Sequence, residues 1–303
     1  MYDFWGNEIK RFFQLETLQF ATDRQLQHGD RFILPSLLDA LGPGEITSLS
    51  FELFQEGRFQ LIFRLKVHTS KDRTAQFAFV VAKNHEECSM IARNEHGNLL
   101  MMHERMPEHV VKPYRGGPIF LPDRQGRKEG REIFAYITQW LTGYEELGVN
   151  KNLQFIENVK NRHVFSIAET EELKVQMVEI IARSYDPLTH SAMTMPEIAS
   201  GDFVVYRAGR GHLKIKLIAS RRIMLRASPV KLIDRMLDAS WDWGGQRLRL
   251  APLAPEDFLE GLTRALGKDT AKKWVAQYLG AVAAKKVPPR RAEYVTAWSD
   301  FVR

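Results

Sequence analysis

The chain has 303 residues, of which 44% are hydrophobic and 26% charged, so extended disorder is excluded and one large domain or two lobes can each bury a core. Its net charge of +6 is a mild excess that admits an anionic ligand without pointing to nucleic acid. Cys88 is the sole cysteine, which rules out an intramolecular disulfide and fits a reducing compartment, and no apolar run is long enough to span a bilayer. The opening, MYDFWGNEIKRFF, shows no basic leader before an apolar run, so no signal peptide, no membrane association and a cytoplasmic location are expected.

Residues Met1 to Leu41 read as helical, with Pro35 to Leu38 forming a short helix closed by Gly42. This segment, 1–42, is expected to be an extension that packs on the strands after it, with Pro43-Gly44 as the boundary. From Ile46 to Val67 there are two strand candidates, ITSLSFELF and FQLIFRLKV, around the turn Gln55 to Arg58. In the second, Leu61, Phe63, Leu65 and Val67 alternate with Gln60, Ile62, Arg64 and Lys66, the pattern of a half-buried antiparallel strand. Phe77 to Ala82 is apolar at nearly every position, which suits a strand covered on both faces, and it runs into Lys83. A helix comes next, carrying Met90, Ile91, Glu95, Leu99 and Met102, and Pro107 breaks it before a second apolar strand expected from His109.

Arg115 to Glu132 is rich in Gly, Arg and Lys and reads as a solvated hairpin tip, since it lacks the interleaved aromatics of a nucleic-acid surface. Phe134 to Leu147 returns as a strand, and Lys151 to Ile167 fits no single type. Glu171 to Tyr185 is the clearest helix, with Leu173, Met177, Ile180, Ile181 and Tyr185 on one face and Thr170 at its start. FVVY and LKIKLI then form a hairpin around Ala208 to Gly211. The remainder is helical: a helix capped by Ser228-Pro229, one from Pro255 to Gly267, one begun by Asp269, and a last one with Tyr294, Val295, Trp298 and Phe301. Trp241 and Trp243 read as packing anchors, and the basic linker Lys285 to Arg291 as a solvated connection. No H-x-x-x-H or C-x-x-C spacing, no G-x-S-x-G, no dinucleotide glycine fingerprint and no fixed-period repeat is present.

Several stretches, in order, resemble the protein kinase and aminoglycoside phosphotransferase superfamily. FVVAKN looks like the strand carrying the nucleotide lysine, NEHGNLLMMHERMPEHVVKPY like the helix and strand after it, and IFAYITQWLTGYEELG like the strand and hinge between the lobes. The resemblance implies a two-lobed α+β fold, with an antiparallel-sheet small lobe over 43–141 and a mainly helical large lobe over 142–303. It implies ATP, with magnesium, as the cofactor. Lys83 would face a phosphate, with Glu95 as its ion-pair partner and Gly57, Gln139 and Leu141 also against the nucleotide.

The same resemblance departs where activity is decided. The hairpin that should be rich in glycine has only Gly57. Aligning Gly201-Asp202-Phe203-Val204 with the metal-binding asparagine and its strand puts Asp202 at the asparagine and Glu197 at the catalytic aspartate. A second register, on the His-Gly-Asp of aminoglycoside phosphotransferases, makes Asp202 the base. In both, the Asp-Phe-Gly motif becomes Ala219-Ser220-Arg221, and alanine has no oxygen for a hard cation. The expectation is a kinase-like protein with degenerate motifs, a pseudokinase acting through a protein partner or weak nucleotide binding. Two readings stay open beside it: an active phosphotransferase using Glu197 and Asp202 with an unusual metal site at Asp202, and a binding protein unrelated to kinases.

Overall fold

A computed structural model describes residues 33–42, 46–71, 73–83, 85–121, 131–149, 155–157, 163–193, 200–209, 212–238, 240–243, 246–249, 254–286 and 292–303. The chain is a mixed α and β protein with antiparallel sheets. It divides into two compact units, Met1–Pro107 with Val111–Thr142, and Glu108–Val110 with Gly143–Arg303.

The first unit is built on one sheet. Helix α1 (Ile33–Leu41) precedes β1 (Ile46–Glu56), β2 (Gln60–Thr69) and β3 (Thr74–Ala82); helix α2 (Glu86–Arg105) then leads to β4 (Pro113–Leu121) and β5 (Arg131–Gln139). The five strands lie in the order β1-β2-β3-β5-β4, all pairs antiparallel. β3 is therefore flanked on both sides, and its continuous apolar run reflects burial on both faces. One face is a core of Leu61, Phe63, Leu65, Val67, Phe79, Ala135 and Ile137, closed by Ile33 and Leu37 of α1. Ser36 of α1 accepts a hydrogen bond from Arg115 N at 3.1 Å, which ties this helix to β4. α1 thus packs on the sheet, and residues 1–32 of the segment read as an extension lie outside the described ones.

The other face carries α2. Alternation along β5 turns Phe134, Tyr136 and Thr138 toward it, and Ser89 Oγ accepts from Phe134 N at 3.2 Å. His85 caps the helix, Glu86 and Glu87 occupy its first turn and His103 and Arg105 its last, the charge order its dipole favours. The strand expected from His109 begins instead at Pro113. Val110 makes an isolated parallel bridge with Leu217, so the residues just after Pro107 pair outside the first sheet.

The second unit holds more β-structure than the expected mainly helical lobe. Strands β6 (Glu145–Val149), β7 (Phe155–Glu157), β8 (His163–Val164), β10 (Phe203–Arg207) and β11 (Leu213–Leu217) form a second sheet, ordered β11-β10-β6-β7-β8. β7 and β8 lie within Lys151 to Ile167, the stretch whose pattern fits no single type. Helix α3 (Ile167–Arg183) precedes β9 (Ser191–Met193), which pairs with β12 (Ile223–Leu225). α3 starts four residues before the expected Glu171, because Ser166 and Glu169 form a reciprocal capping box ahead of Thr170. Its inner face buries Met177, Ile180 and Ile181 completely. Helices α4 (Pro229–Asp238), α5 (Pro255–Leu266), α6 (Lys268–Ala283) and α7 (Ala292–Val302) complete the unit, with a hairpin β13 (Ser240–Trp243) and β14 (Gln246–Arg249) between the first two. The side chains of Trp241 and Trp243, residues 122–130 of the stretch expected to be a hairpin tip and residues 287–291 of the expected linker lie outside the described set. No helix among the described residues is long and apolar enough to cross a membrane.

Candidate functional site

The sequence-derived candidates fall into two groups, one in each unit. In the first, the central position of β3 fixes Lys83 at a strand end, and its backbone N donates to Phe59 O at 2.9 Å. Its Nζ donates to Glu56 Oε1 at 2.7 Å, with only 14% of the lysine side chain and 23% of the glutamate exposed. Glu56 ends β1 and reaches Lys83 across β2, where Gln60 stands opposite Ala82 in the register.

The kinase resemblance implies Glu95 as the partner of Lys83, and here the structure differs. Glu95 is 1% exposed on the inner face of α2. Its Oε1 accepts from Gln60 Nε2 at 2.9 Å and from the Tyr136 hydroxyl. Two neutral donors from β2 and β5 thus hold the helix carboxylate, and the carboxylate at Lys83 comes from a strand end. One residue further along α2, His96 bonds Tyr114 O through Nε2 at 2.7 Å. Burial pushes its pKa down, and the bond to Tyr114 opposes that shift only in part. Burial likewise raises the pKa of the Cys88 thiol; Glu87 adds to the shift and Lys83 works against it.

Gly57, Arg58 and Phe59 make the turn between β1 and β2. Gly57 N donates to Gln60 O at 2.9 Å. A Cβ on Gly57 would lie 3.5 Å from the same oxygen, an ordinary contact, so the geometry seen does not require glycine there. Gln139 ends β5 with an exposed side chain, and its N donates to Lys112 O at 2.8 Å. Leu141 is half-buried just beyond, after Trp140, which stacks edge-on with Phe54 and lies under the Arg64 guanidinium at 4.9 Å.

In the second unit, Asp202 closes a short 3-10 turn, Ser200–Asp202, and leads into β10. Its carbonyl accepts from Ile218 N at 2.7 Å, extending the β10–β11 ladder past its last pair. This closure brings the Ala219-Ser220-Arg221 stretch back to Asp202. Arg221 then donates to both carboxylate oxygens, to Oδ2 at 3.1 Å and to Oδ1 at 2.9 Å. Asp202 is 3% exposed, so a carboxylate at this depth needs a cation, and a planar guanidinium supplies one in the bidentate geometry it favours. A hard divalent metal binds carboxylate oxygen at about 2.0–2.6 Å and would compete with Arg221 for these oxygens. Glu197 lies outside the described residues, and no group of three His, Cys, Asp or Glu side chains suited to a metal occurs among the described ones.

Sequence reasoning missed Glu56 and Arg221, the two side chains that neutralise its principal candidates. Arg221 had a legible signal, because a cation stood in the stretch aligned with Asp-Phe-Gly, at its glycine position and two residues after Ala219. Glu56 had none, since its reach to Lys83 depends on the pairing of three strands. No protein-family model and no curated protein matches the chain.

Proposed function

We propose that the protein is a kinase-like protein of the pseudokinase kind, acting through contacts with a protein partner and binding ATP weakly or not at all. The observation that carries this reading is the pair of Asp202 and Arg221. The carboxylate that both kinase registers assign to the chemistry is occupied by a cation from its own chain. Ala219, at the position of the magnesium aspartate, offers no oxygen. Phosphoryl transfer depends on positioning and on metal-assisted neutralisation of charge, and both are weakened by these residues.

Element order supports the kinase-like part of the reading. An antiparallel sheet takes a single helix between its Lys83 strand and β4, the arrangement the resemblance implies for a small lobe. Further on, a hairpin separates Asp202 from Ala219, in the order of the catalytic loop, its hairpin and the Asp-Phe-Gly motif. Magnesium, had it a place here, would be held through Asp202 after displacement of Arg221, and would neutralise charge on the transferred phosphate.

The test is purified protein with labelled ATP, in magnesium and in manganese, read for autophosphorylation and for transfer to generic substrates. A thermal melt with ATP accompanies it, because a ligand raises the melting temperature when it binds the folded state. The expected result is negligible incorporation and no metal-dependent stabilisation. Robust incorporation abolished by Lys83→Ala and by Asp202→Asn would overturn this reading and install a phosphotransferase in its place.

A further inference from the structure

We propose that Glu56 is an internal stand-in for a ligand: it fills an anion site on Lys83 that accepts a phosphate-bearing molecule when Glu56 withdraws. The inference deepens the reading of Lys83 as the nucleotide lysine and rests on it.

Three features of the first unit support it. First, the Lys83 main chain is fixed, by its place at the end of the central strand and by its bond to Phe59 O at 2.9 Å. Second, the only carboxylate bonded to its ammonium among the described residues is Glu56, at 2.7 Å, and both side chains are largely covered. A ligand that is itself anionic replaces Glu56 without leaving the covered ammonium uncompensated. Glu95 is engaged by Gln60 and Tyr136 and forms a separate part of the network.

Third, Glu56 is the more easily displaced member of the pair by its position. It is the last residue of an edge strand and is succeeded directly by Gly57. The backbone of Gly57 is not left-handed, and a Cβ would fit there at 3.5 Å from its nearest neighbour. A glycine without a steric reason in the closed form still gives the turn freedom to swing Glu56 aside. The lysine presents a point charge with three donors, which suits a phosphate oxygen as well as it suits a carboxylate oxygen.

The probes are inorganic pyrophosphate and ATP, both without metal, titrated by calorimetry into wild type, Glu56→Gln, Glu56→Ala and Glu56→Gln with Lys83→Met. Glu56→Gln keeps an acceptor of the same shape, and each variant is compared with its own ligand-free melting temperature. Both single variants are expected to bind pyrophosphate at least ten-fold more tightly than wild type, with the gain lost when Lys83→Met is added. Equal affinity in wild type and both variants would overturn the proposal, as would a gain that survives Lys83→Met. A gain for pyrophosphate with no preference for ATP upholds the Glu56 device and removes the nucleotide reading. Tight ATP binding by wild type, unchanged in the variants, removes the device and leaves the nucleotide reading standing.

Discussion

Arg221 grips Asp202 through two hydrogen bonds of 2.9 and 3.1 Å, although the two residues are separated by an entire β-hairpin in the chain. The aspartate is 3% exposed, while 29% of the arginine side chain reaches solvent. The pair is therefore asymmetric: loss of the arginine takes a bidentate cation from a buried carboxylate, whereas loss of the aspartate charge leaves a guanidinium that water can reach.

That asymmetry sets an order of costs. Arg221→Ala should destabilise the protein by about 3–5 kcal/mol, the usual cost of removing one partner of a buried ion pair. Asp202→Asn should cost less, because an amide needs no counter-charge. Arg221→Lys should recover only part of the loss, since a single ammonium cannot make the bidentate contact. Urea midpoints of the three variants check the ranking, and an Asp202→Asn variant less stable than Arg221→Ala would refute it.

Two glycines near α2 should respond in opposite ways to alanine. A Cβ on Gly116 would lie 2.8 Å from Tyr136 Cβ and 2.9 Å from both His96 Nδ1 and Phe134 Cζ, so β4 can approach the helix only without a side chain there. Gly116→Ala should cost about 1–3 kcal/mol by overpacking. Gly97 is exposed within α2 with nothing within 4 Å of a Cβ, and Gly97→Ala should stabilise by about 0.5–1 kcal/mol through helix propensity. Thermal melts of the two single variants decide both signs.

His96 predicts a pH dependence. Burial holds its folded pKa below the ordinary 6.5, so in the unfolded chain it takes up a proton at higher pH than in the folded one. Its contribution is therefore fully present above about pH 6.5 and is lost as the pH falls through the window between that value and the lowered folded pKa. Urea unfolding of wild type and His96→Gln from pH 8 to about pH 5 should show a smaller decline in the variant. Parallel declines would exclude His96 as a contributor.

The inner face of α3 should be sensitive to truncation. Ile181 is fully buried, and Ile181→Ala should cost about 2–5 kcal/mol. Gly261 of α5 is the contact point on the facing helix: a Cβ there would sit 2.8 Å from Val175 O and from Val178 Cβ. Gly261→Ala should therefore also destabilise, by about 1–3 kcal/mol, since the opposing atoms include backbone. Denaturant midpoints unchanged by either substitution would rule out the close crossing.

Much of the local structure was legible in the chain itself. Alternation in Gln60 to Val67 marked β2, the unbroken apolar run Phe77 to Ala82 marked a strand covered on both faces, and the spacing of Met177, Ile180 and Ile181 marked the buried side of α3. Even the miss at the start of α3 was readable, because Ser166 and Glu169 stood three apart as a capping box requires. These are periodicities and local hydrogen bonds, which depend on neighbours along the chain. The partners of the charged groups depend on something else. Whether Lys83 meets Glu56 or Glu95 is set by the pairing of β1, β2 and β3, and whether Asp202 meets Arg221 is set by where the β10–β11 hairpin closes. A strand can be identified from its own residues, but its register brings together side chains far apart in the chain, and only the folded sheet decides which opposite charges lie within reach.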